Sequence, residues 1–352
     1  RRCQRCWIRV LKQGVLVKHL RHYIKSILLE ETRQSLEIPI PPDLMDIHGR
    51  IKYGGRSLYL VGGAVRDALL GKTPKDYDLA TDAEPERVIR ILEKDSALRI
   101  DLTGKSFGVV RVKTPAGEEY EIATFRKDVG GGQRPDAVEW TGIEEDANRR
   151  DLTINALYYD LESKEVIDFV GGIEDVQNRV IRAVGNPAQR FDEDRLRILR
   201  VARFAARMGS EIDAETQAAI LEDNELIDVP PERIKEEVLK GIKQAASVQD
   251  FFTKLEQLQL MPQVFPGLSV SPNNILDSSR NPAVILAQAL AGNDSPSVKR
   301  TLIKMALSNA IVDQTDFLLN FSEITPEDAP VLKKVFKRLK IDSGALVSFA
   351  DP

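Results

Sequence analysis

The stretch LVGGAVRDALLGKTPKDYDLAT, residues 60–81, sets a glycine pair a fixed distance ahead of two aspartates separated by one residue. A short apolar run from Leu58 to Val61 ends in Gly62 and Gly63 and gives way to a helical pattern from Ala64 to Leu70. That order reads as strand, tight turn and helix start. Glycine lets backbone approach a ligand closely, and free N–H groups at a helix start favour an anion such as phosphate. Asp76 and Asp78 flank Tyr77, and in an extended segment side chains two apart project from one face, so both carboxylates point to one place. Two like charges held that close are costly without a cation. Hard oxygen ligands of this kind suit Mg²⁺, which also bridges substrate phosphates, and two such ions can activate an attacking hydroxyl and stabilise departing pyrophosphate. A lone DxD reads as well as a solvated edge, but here the glycine turn, Arg66 with Asp67 and the paired aspartates share one strand-turn-helix-strand unit. The pattern reads as a metal-dependent nucleotidyl-transfer site.

Other stretches carry chemistry of their own. In RFDEDRLRILRVARFAARMG, 190–209, Asp194 and Arg197 are three apart and Glu193 and Arg197 four apart, so on a helix they share one edge. An Asp acceptor beside a planar Arg donor can mimic the edge of a base, although an ion pair on a helix surface has the same spacing. Arg195, Arg197, Arg200, Arg203 and Arg207 alternate with apolar residues, which predicts one packed face and one basic face; function is assigned only to Arg197 and Arg200. In RRDLTINAL, 149–157, Asp151 and Asn155 are four apart, again on one helical face.

These motifs, with DFVGGIED at 168–175 and PPERIKEEVLK at 230–240, resemble in order those of the class II nucleotidyltransferases of the DNA polymerase beta superfamily, which comprise bacterial-type CCA-adding enzymes and bacterial poly(A) polymerases. The resemblance runs from about Leu58 to Lys240. It implies that Asp76 and Asp78 hold two Mg²⁺ as catalytic ligands and that Gly62, Gly63 and Arg66 face the nucleotide. It further implies that Arg150, Asp151 and Asn155 contact sugar and phosphates, and that Glu193, Asp194, Arg197 and Arg200 select CTP and then ATP without a template. A third carboxylate is implied on a neighbouring strand. Glu119 and Glu121 of EEYEIATFR, 118–126, share a strand face, and Glu121 is chosen because it stands where the family places the acid before TFR.

The expected reaction is transfer of CMP and AMP to the 3′ hydroxyl of tRNA. Where tailing enzymes carry a basic GRRFR-like stretch, this chain has GKSFGVVRV at 104–112, with Ser106 and Gly108 departing from it, and an extended basic C-terminal tail is missing. Both favour tRNA end formation over poly(A) addition. The loop KDVGGGQRPDAVEWTGIEED, 127–146, is shorter than the family's, which keeps CC-only or A-only addition as alternatives; the glycines at 130–132 supply the flexibility of a specificity lever. A non-enzymatic RNA-binding protein is the alternative from another class, and the clustered acids speak against it.

The expected fold is α+β: a nucleotidyltransferase head, 37–180, with a small mixed sheet and helices, followed by a helical neck, 181–245, for base recognition and a helical body and tail, 246–352, for tRNA. TPAGEE near Thr114 and DLESKE near Asp160 read as hairpins, while DAETQAAILED, PERIKEEVLKGI, VQDFFTKLEQL and PVLKKVFKRLK read as amphipathic helices. Prolines and Asn/Ser clusters around Pro262 to Asn281 mark a break, and Lys333, Lys334, Lys337, Arg338 and Lys340 form a basic face suited to RNA backbone or to water. Residues 1–36 are set aside as an extension that is free of acid up to Leu29, suited to organellar targeting or to an RNA-binding arm. Cys3 and Cys6 have no second cysteine pair, and His19 and His22 are the nearby histidines, so neither a disulfide framework nor a four-ligand zinc site is expected. A net charge of −4 over 352 residues excludes a generally basic nucleic-acid-coating protein but leaves room for basic patches. With no apolar run long enough to span a bilayer, the expected place is the cytoplasm.

Overall fold

A computed structural model of the protein describes residues 31–101, 108–129 and 137–320. They divide into two compact units, one of residues up to Asp128 with Val138–Gln177, the other of residues from Asn178 onward with the short stretch 129–137.

The first unit contains, in chain order, β1 (Thr32–Ser35), α1 (Pro42–Tyr53), β2 (Leu58–Val61), α2 (Gly63–Leu69), β3 (Leu79–Thr81), α3 (Pro85–Leu92), β4 (Arg99–Asp101), β5 (Val109–Lys113) and β6 (Glu119–Thr124). After β7 (Arg126–Val129) and β8 (Ala137–Trp140), which pair with each other, come α4 (Ile143–Asn148), β9 (Leu157–Asp160), β10 (Glu165–Asp168) and α5 (Gly172–Asn178). Eight strands form one mixed sheet in the order β1-β10-β9-β2-β3-β6-β5-β4. Its pairings are antiparallel except β3 with β6, which run parallel with Leu79 opposite Ile122 and Thr81 opposite Thr124. Both expected hairpins are present: Gly117 turns at φ 94° between β5 and β6, and Lys164 at φ 57° between β9 and β10, where Asp160 accepts from the Glu162 amide. Thr32–Ser35 corrects the sequence reading. It lies inside the segment set aside as an extension, yet it is the edge strand beside β10, with Arg33 bonded to Glu165 at 3.2 Å.

Strand alternation decides what each face of the sheet does. On β6, Tyr120, Ile122 and Thr124 are buried while Glu119 and Glu121 are exposed. The buried side carries α1, whose Asp43 accepts from the Tyr120 and Thr114 hydroxyls, each at 2.8 Å. The carboxylates of Glu119 and Glu121 therefore stand on the opposite face from α1.

The second unit begins with β11 (Val180–Ile181), α6 (Pro187–Glu193), α7 (Leu196–Met208), β12 (Glu211–Ile212) and α8 (Ala214–Glu222), and continues with α9 (Pro231–Gln244), α10 (Val248–Gln257), α11 (Met261–Val264), α12 (Pro282–Ala289), α13 (Ser295–Lys304) and α14 (Asn309–Leu319). It is helical as expected apart from the two-residue parallel pair β11–β12. Between Phe265 and Asn281 the only helix among the described residues is a 3₁₀ turn at Pro272–Asn274, the irregular stretch that the prolines announce. The arginine-rich helix departs from its expected two-faced character. α7 is buried nearly all round, and Arg203 is on its packed side, 4% exposed, bonded to Glu237 of α9 at 2.5 Å. Gly241 of α9 lets α10 come close, since a Cβ there would meet the Phe251 ring at 2.3 Å. The CxxC pair, the 130–132 glycines, Ser106 and the basic run Lys333 to Lys340 lie outside the described residues.

Candidate active site

At the end of β2 the backbone turns at Gly62 with φ 69°, a left-handed conformation that carries no penalty without a Cβ. The Gly62 amide donates to the Leu157 carbonyl at 2.9 Å, and α2 starts at once with no side-chain cap and no acid in its first turn. No side chain of the turn itself therefore takes up its first amides or offsets the partial positive charge of the helix start.

Arg66, in the same turn, is 2% exposed. Its Nε and Nη2 donate to Asp67 at 2.9 and 2.8 Å, and its Nη1 donates to Asn155 Oδ1 at 2.6 Å. Asn155 in turn donates to Asp151 at 3.3 Å, so the Gly62–Arg66 turn and the Asp151–Asn155 segment are knitted into one corner. The segment is not the α-helix that its spacing suggests: Thr153–Asn155 is a single 3₁₀ turn, because β9 starts at Leu157 and Leu152 and Ile154 are both fully buried. The DFVGGIED motif explains itself here. Asp168 accepts from the amides of Val170, Gly171 and Ile173, Asp175 accepts from Thr153 at 2.7 Å, and a Cβ on Gly172 would lie 2.2 Å from the Thr153 carbonyl oxygen. This motif buttresses the 3₁₀ turn from behind.

Arg150 joins the corner through a residue that motif reading missed. Asp146, 1% exposed, accepts from Arg150 at 3.1 Å, from Arg149 at 2.6 and 2.9 Å, from the Tyr158 hydroxyl at 2.5 Å and from the Arg126 amide at 3.2 Å. Arg150 also donates to Tyr158 at 3.1 Å and to the Asn155 carbonyl at 3.4 Å. Burial works to raise the Asp146 pKa, but Arg150, Arg149 and the Tyr158 hydroxyl outweigh it and hold the carboxyl below its ordinary range. The signal was available in EEDANRR, where the acid stands three and four residues ahead of the two arginines, one helical face.

The carboxylates are placed differently. Asp76 and Asp78 precede β3, both exposed, and the Asp78 carbonyl still accepts from the Val61 amide at 2.9 Å, so extended pairing continues back to it. Continuing the parallel register by one residue puts Asp78 beside Glu121. The Asp78 carboxyl is held above its ordinary value first by partial loss of hydration, then by the charges of Glu121 and Asp76, while Arg150 pulls it down. Of the two candidate glutamates it is Glu121 whose charge Asp78 feels. Glu121 itself bonds Arg111 on β5 at 2.7 Å. Among the described residues no group of three or more carboxylate, histidine or cysteine side chains is drawn together tightly enough to hold a metal. The Asp76–Asp78 pair nonetheless fits a hard divalent cation of the Mg²⁺ kind, which takes one or two carboxylates and completes its shell with water and substrate phosphate, and which relieves the repulsion that raises Asp78.

The residues expected to read the base lie in the second unit, and the structure corrects their local geometry. The helix breaks at Asp194, whose backbone is extended (φ −154°, ψ 104°), so Glu193 ends α6 and Arg197 lies in the first turn of α7. Arg197 donates to Glu193 at 2.7 Å and to the Arg190 carbonyl at 3.1 Å. Asp194 accepts from the Leu196 amide at 3.1 Å and from Arg233 of α9 at 3.1 and 3.4 Å. Asp194 is thus oriented from PPERIKEEVLK. Arg200 reaches Glu237 at 4.0 Å and covers the Phe204 ring at 5.5 Å.

Comparison with known proteins extends this picture. Residues 58–182 match the Poly A polymerase head domain, and residues 209–271 match the family described as the probable RNA and SrmB-binding site of polymerase A. The chain is 36% identical over 305 residues to the CCA-adding enzyme of Lactobacillus helveticus, covering 81% of this chain and 72% of that protein. It is 37% identical over 260 residues to poly(A) polymerase I of Salmonella typhimurium, covering 70% of this chain but only 54% of that protein. Its fold is similar to the crystal structure of the Bacillus stearothermophilus CCA-adding enzyme in complex with CTP, with a TM-score of 0.71 and 28% identity over 89% of this chain and 80% of that one.

Proposed function

Because the chain belongs to the nucleotidyltransferase family of CCA-adding enzymes and bacterial poly(A) polymerases, we propose that it transfers CMP and AMP from CTP and ATP to the 3′ end of tRNA. The observation that carries the reading is the setting of Asp78: flanked by the charges of Asp76 and Glu121, opposed by Arg150, and hydrogen-bonded through its backbone to the strand that ends in the uncapped Gly62 turn.

Asp76 and Asp78 would hold Mg²⁺, which when bound neutralises phosphate charge and favours both the attacking hydroxyl and the departing pyrophosphate. The amides at the start of α2 and the Arg150 guanidinium receive the triphosphate. Arg66 acts from behind, fixing Asn155, and so positions the corner rather than touching substrate. Glu121 assists Asp78 after giving up Arg111. In the helical unit, Asp194 and Arg197 supply the acceptor and donors for a base edge, with Arg233 and Glu193 setting their orientation. The tRNA would be recognised by the shape of its stacked arms and by its backbone.

Gly108 supports end formation over tailing. It sits at φ 79°, and a Cβ there would lie 2.9 Å from the exposed Trp140 ring, so a side chain of a basic tailing signature would be strained at this position. The deciding experiment offers purified protein and Mg²⁺ with tRNA transcripts ending before CCA, after C and after CC, each with CTP, ATP or both. Complete CCA on the bare transcript is the expected result. Cytidines alone or adenosine alone would assign a split-function enzyme, long adenosine tails a poly(A) polymerase, and no incorporation a binding protein.

A further inference from the structure

Away from the candidate active site, the first unit holds a cavity of about 880 Å³ between α1 and α3. Because Asp43 of α1 bonds Tyr120, this cavity belongs to the face of the sheet opposite Glu121. Its walls are cationic in a chain whose net charge is −4: Arg50 comes from α1, Arg87 and Arg90 from α3, and Lys94 from just past the end of α3. Arg87, Arg90 and Lys94 follow the three-and-four spacing of one helical stripe, distinct from the buried stripe of Val88 and Leu92 that packs the core.

These charges are poorly compensated. Arg50 pairs with Asp95 at 2.7 Å, but Arg87 and Arg90 donate to the neutral carbonyls of Gly54 (2.9 Å) and Glu86 (3.2 Å). Lys94 makes no ion pair among the described residues, and Asp46 is the one acid lining the cavity. At the rim Tyr53 is 93% exposed, the largest exposure of any large apolar side chain described. Gly49 leaves the α1 floor bare, with no atom within 4 Å of where its Cβ would be.

A groove of cations with an open aromatic beside it is the combination by which proteins hold single-stranded nucleic acid, the cations tracking phosphates and the ring stacking on an unpaired base. We propose that this groove binds the backbone of a single-stranded RNA segment, with Tyr53 stacking on one of its bases, at a site separate from the candidate active site. An acidic peptide would satisfy the cations but would leave Tyr53 without a flat partner.

The test is fluorescence anisotropy with a labelled 12-nucleotide RNA that ends in a 3′ phosphate, so that it offers no acceptor hydroxyl, titrated at several salt concentrations. Arg90→Ala/Lys94→Ala is expected to weaken binding and to flatten the salt dependence by about 1.4 in log–log slope, two phosphate contacts at about 0.7 each. Tyr53→Ala is expected to weaken binding by about fivefold or more with the slope kept. RNA carrying 4-thiouridine should crosslink to the peptide containing Tyr53. Melting temperatures equal to wild type would confirm that the variants fold. An unchanged slope with crosslinks confined elsewhere would overturn the proposal, and so would displacement of the RNA by poly-glutamate at equal charge concentration. Nucleotide incorporation into tRNA is read separately: a protein that binds RNA in the groove yet incorporates nothing refutes the catalytic reading alone.

Discussion

The corner built from Arg66, Asn155, Arg150 and Asp146 and the carboxylate edge built from Asp76, Asp78 and Glu121 sit in one unit yet obey opposite rules. In the corner the charged groups are buried or half-buried and each is paired, with Asp146 alone accepting from two arginines, a tyrosine and a backbone amide. At the edge the carboxylates are exposed, and Asp78 stands in the field of two like charges. The difference separates the groups that hold the corner from those proposed to act beside it. Satisfied polar groups supply rigidity, whereas on the proposed reading Asp76 and Asp78 keep their lone pairs for a cation, and Glu121 is tied only by its exposed pair with Arg111.

Substitutions can break this contrast. Asp78→Ala should cut nucleotide incorporation by about 100- to 1,000-fold or more while leaving the melting temperature unchanged or slightly raised, since it removes a repulsion and no hydrogen-bonded side chain. A comparable loss of stability instead would place Asp78 with the holding residues. Asp146→Asn should do the reverse in kind. It removes the buried negative charge that two half-buried arginines share and should cost about 3–5 kcal/mol in urea unfolding, with activity falling through loss of the Arg150 position. The sign with pH follows from the depressed folded pKa. The stabilisation is complete above the ordinary carboxylate value of about 3.9 and is lost as pH falls through the lower folded value, so the gap between wild type and variant should close only below about pH 4.

Gly172→Ala sharpens the comparison from behind the corner. A methyl group 2.2 Å from the Thr153 carbonyl must push the 3₁₀ turn, at a cost of about 1–3 kcal/mol, and should raise the KM for nucleotide through Asn155 and Arg150. The smallest effect is expected for Arg111→Ala. The Arg111–Glu121 pair is exposed on both sides, 43% and 47%, so releasing Glu121 should lower the Mg²⁺ concentration for half-maximal activity by less than about fivefold. A rise in that concentration would show that Arg111 helps the carboxylates instead of competing for one.

Much of this was legible in the chain because its signals are local. Glycine at a left-handed turn, two aspartates in extended backbone and hairpin residues each state their geometry within a few positions. What escaped depends on partners far away. Thr32–Ser35 has nothing strand-like to recommend it until Glu165–Asp168 offers an open edge. The bend at Asp194 is invisible to spacing, because the three- and four-residue offsets of Asp194 and Glu193 to Arg197 suit a continuous helix; Arg233, 39 positions on, holds it. Arg203 reads as a surface residue by type, and Glu237 on α9, with Gln244 and the Phe204 ring, makes its burial tolerable. Asp146 is readable from its arginine spacing, but it closes one quoted stretch while its arginines open the next.

The parallel pairing of β3 with β6 has a consequence for how the protein is made. A parallel neighbour cannot be reached by a tight turn, and here α3, β4 and β5 are threaded between the strand that follows Asp78 and the strand that carries Glu121. A nascent chain therefore displays its two aspartates well before the third acid has been synthesised, and the loop joining them must close before the three can meet. Ribosome-bound fragments ending before Glu121 carry the DYD sequence without the glutamate that the closed sheet sets beside Asp78.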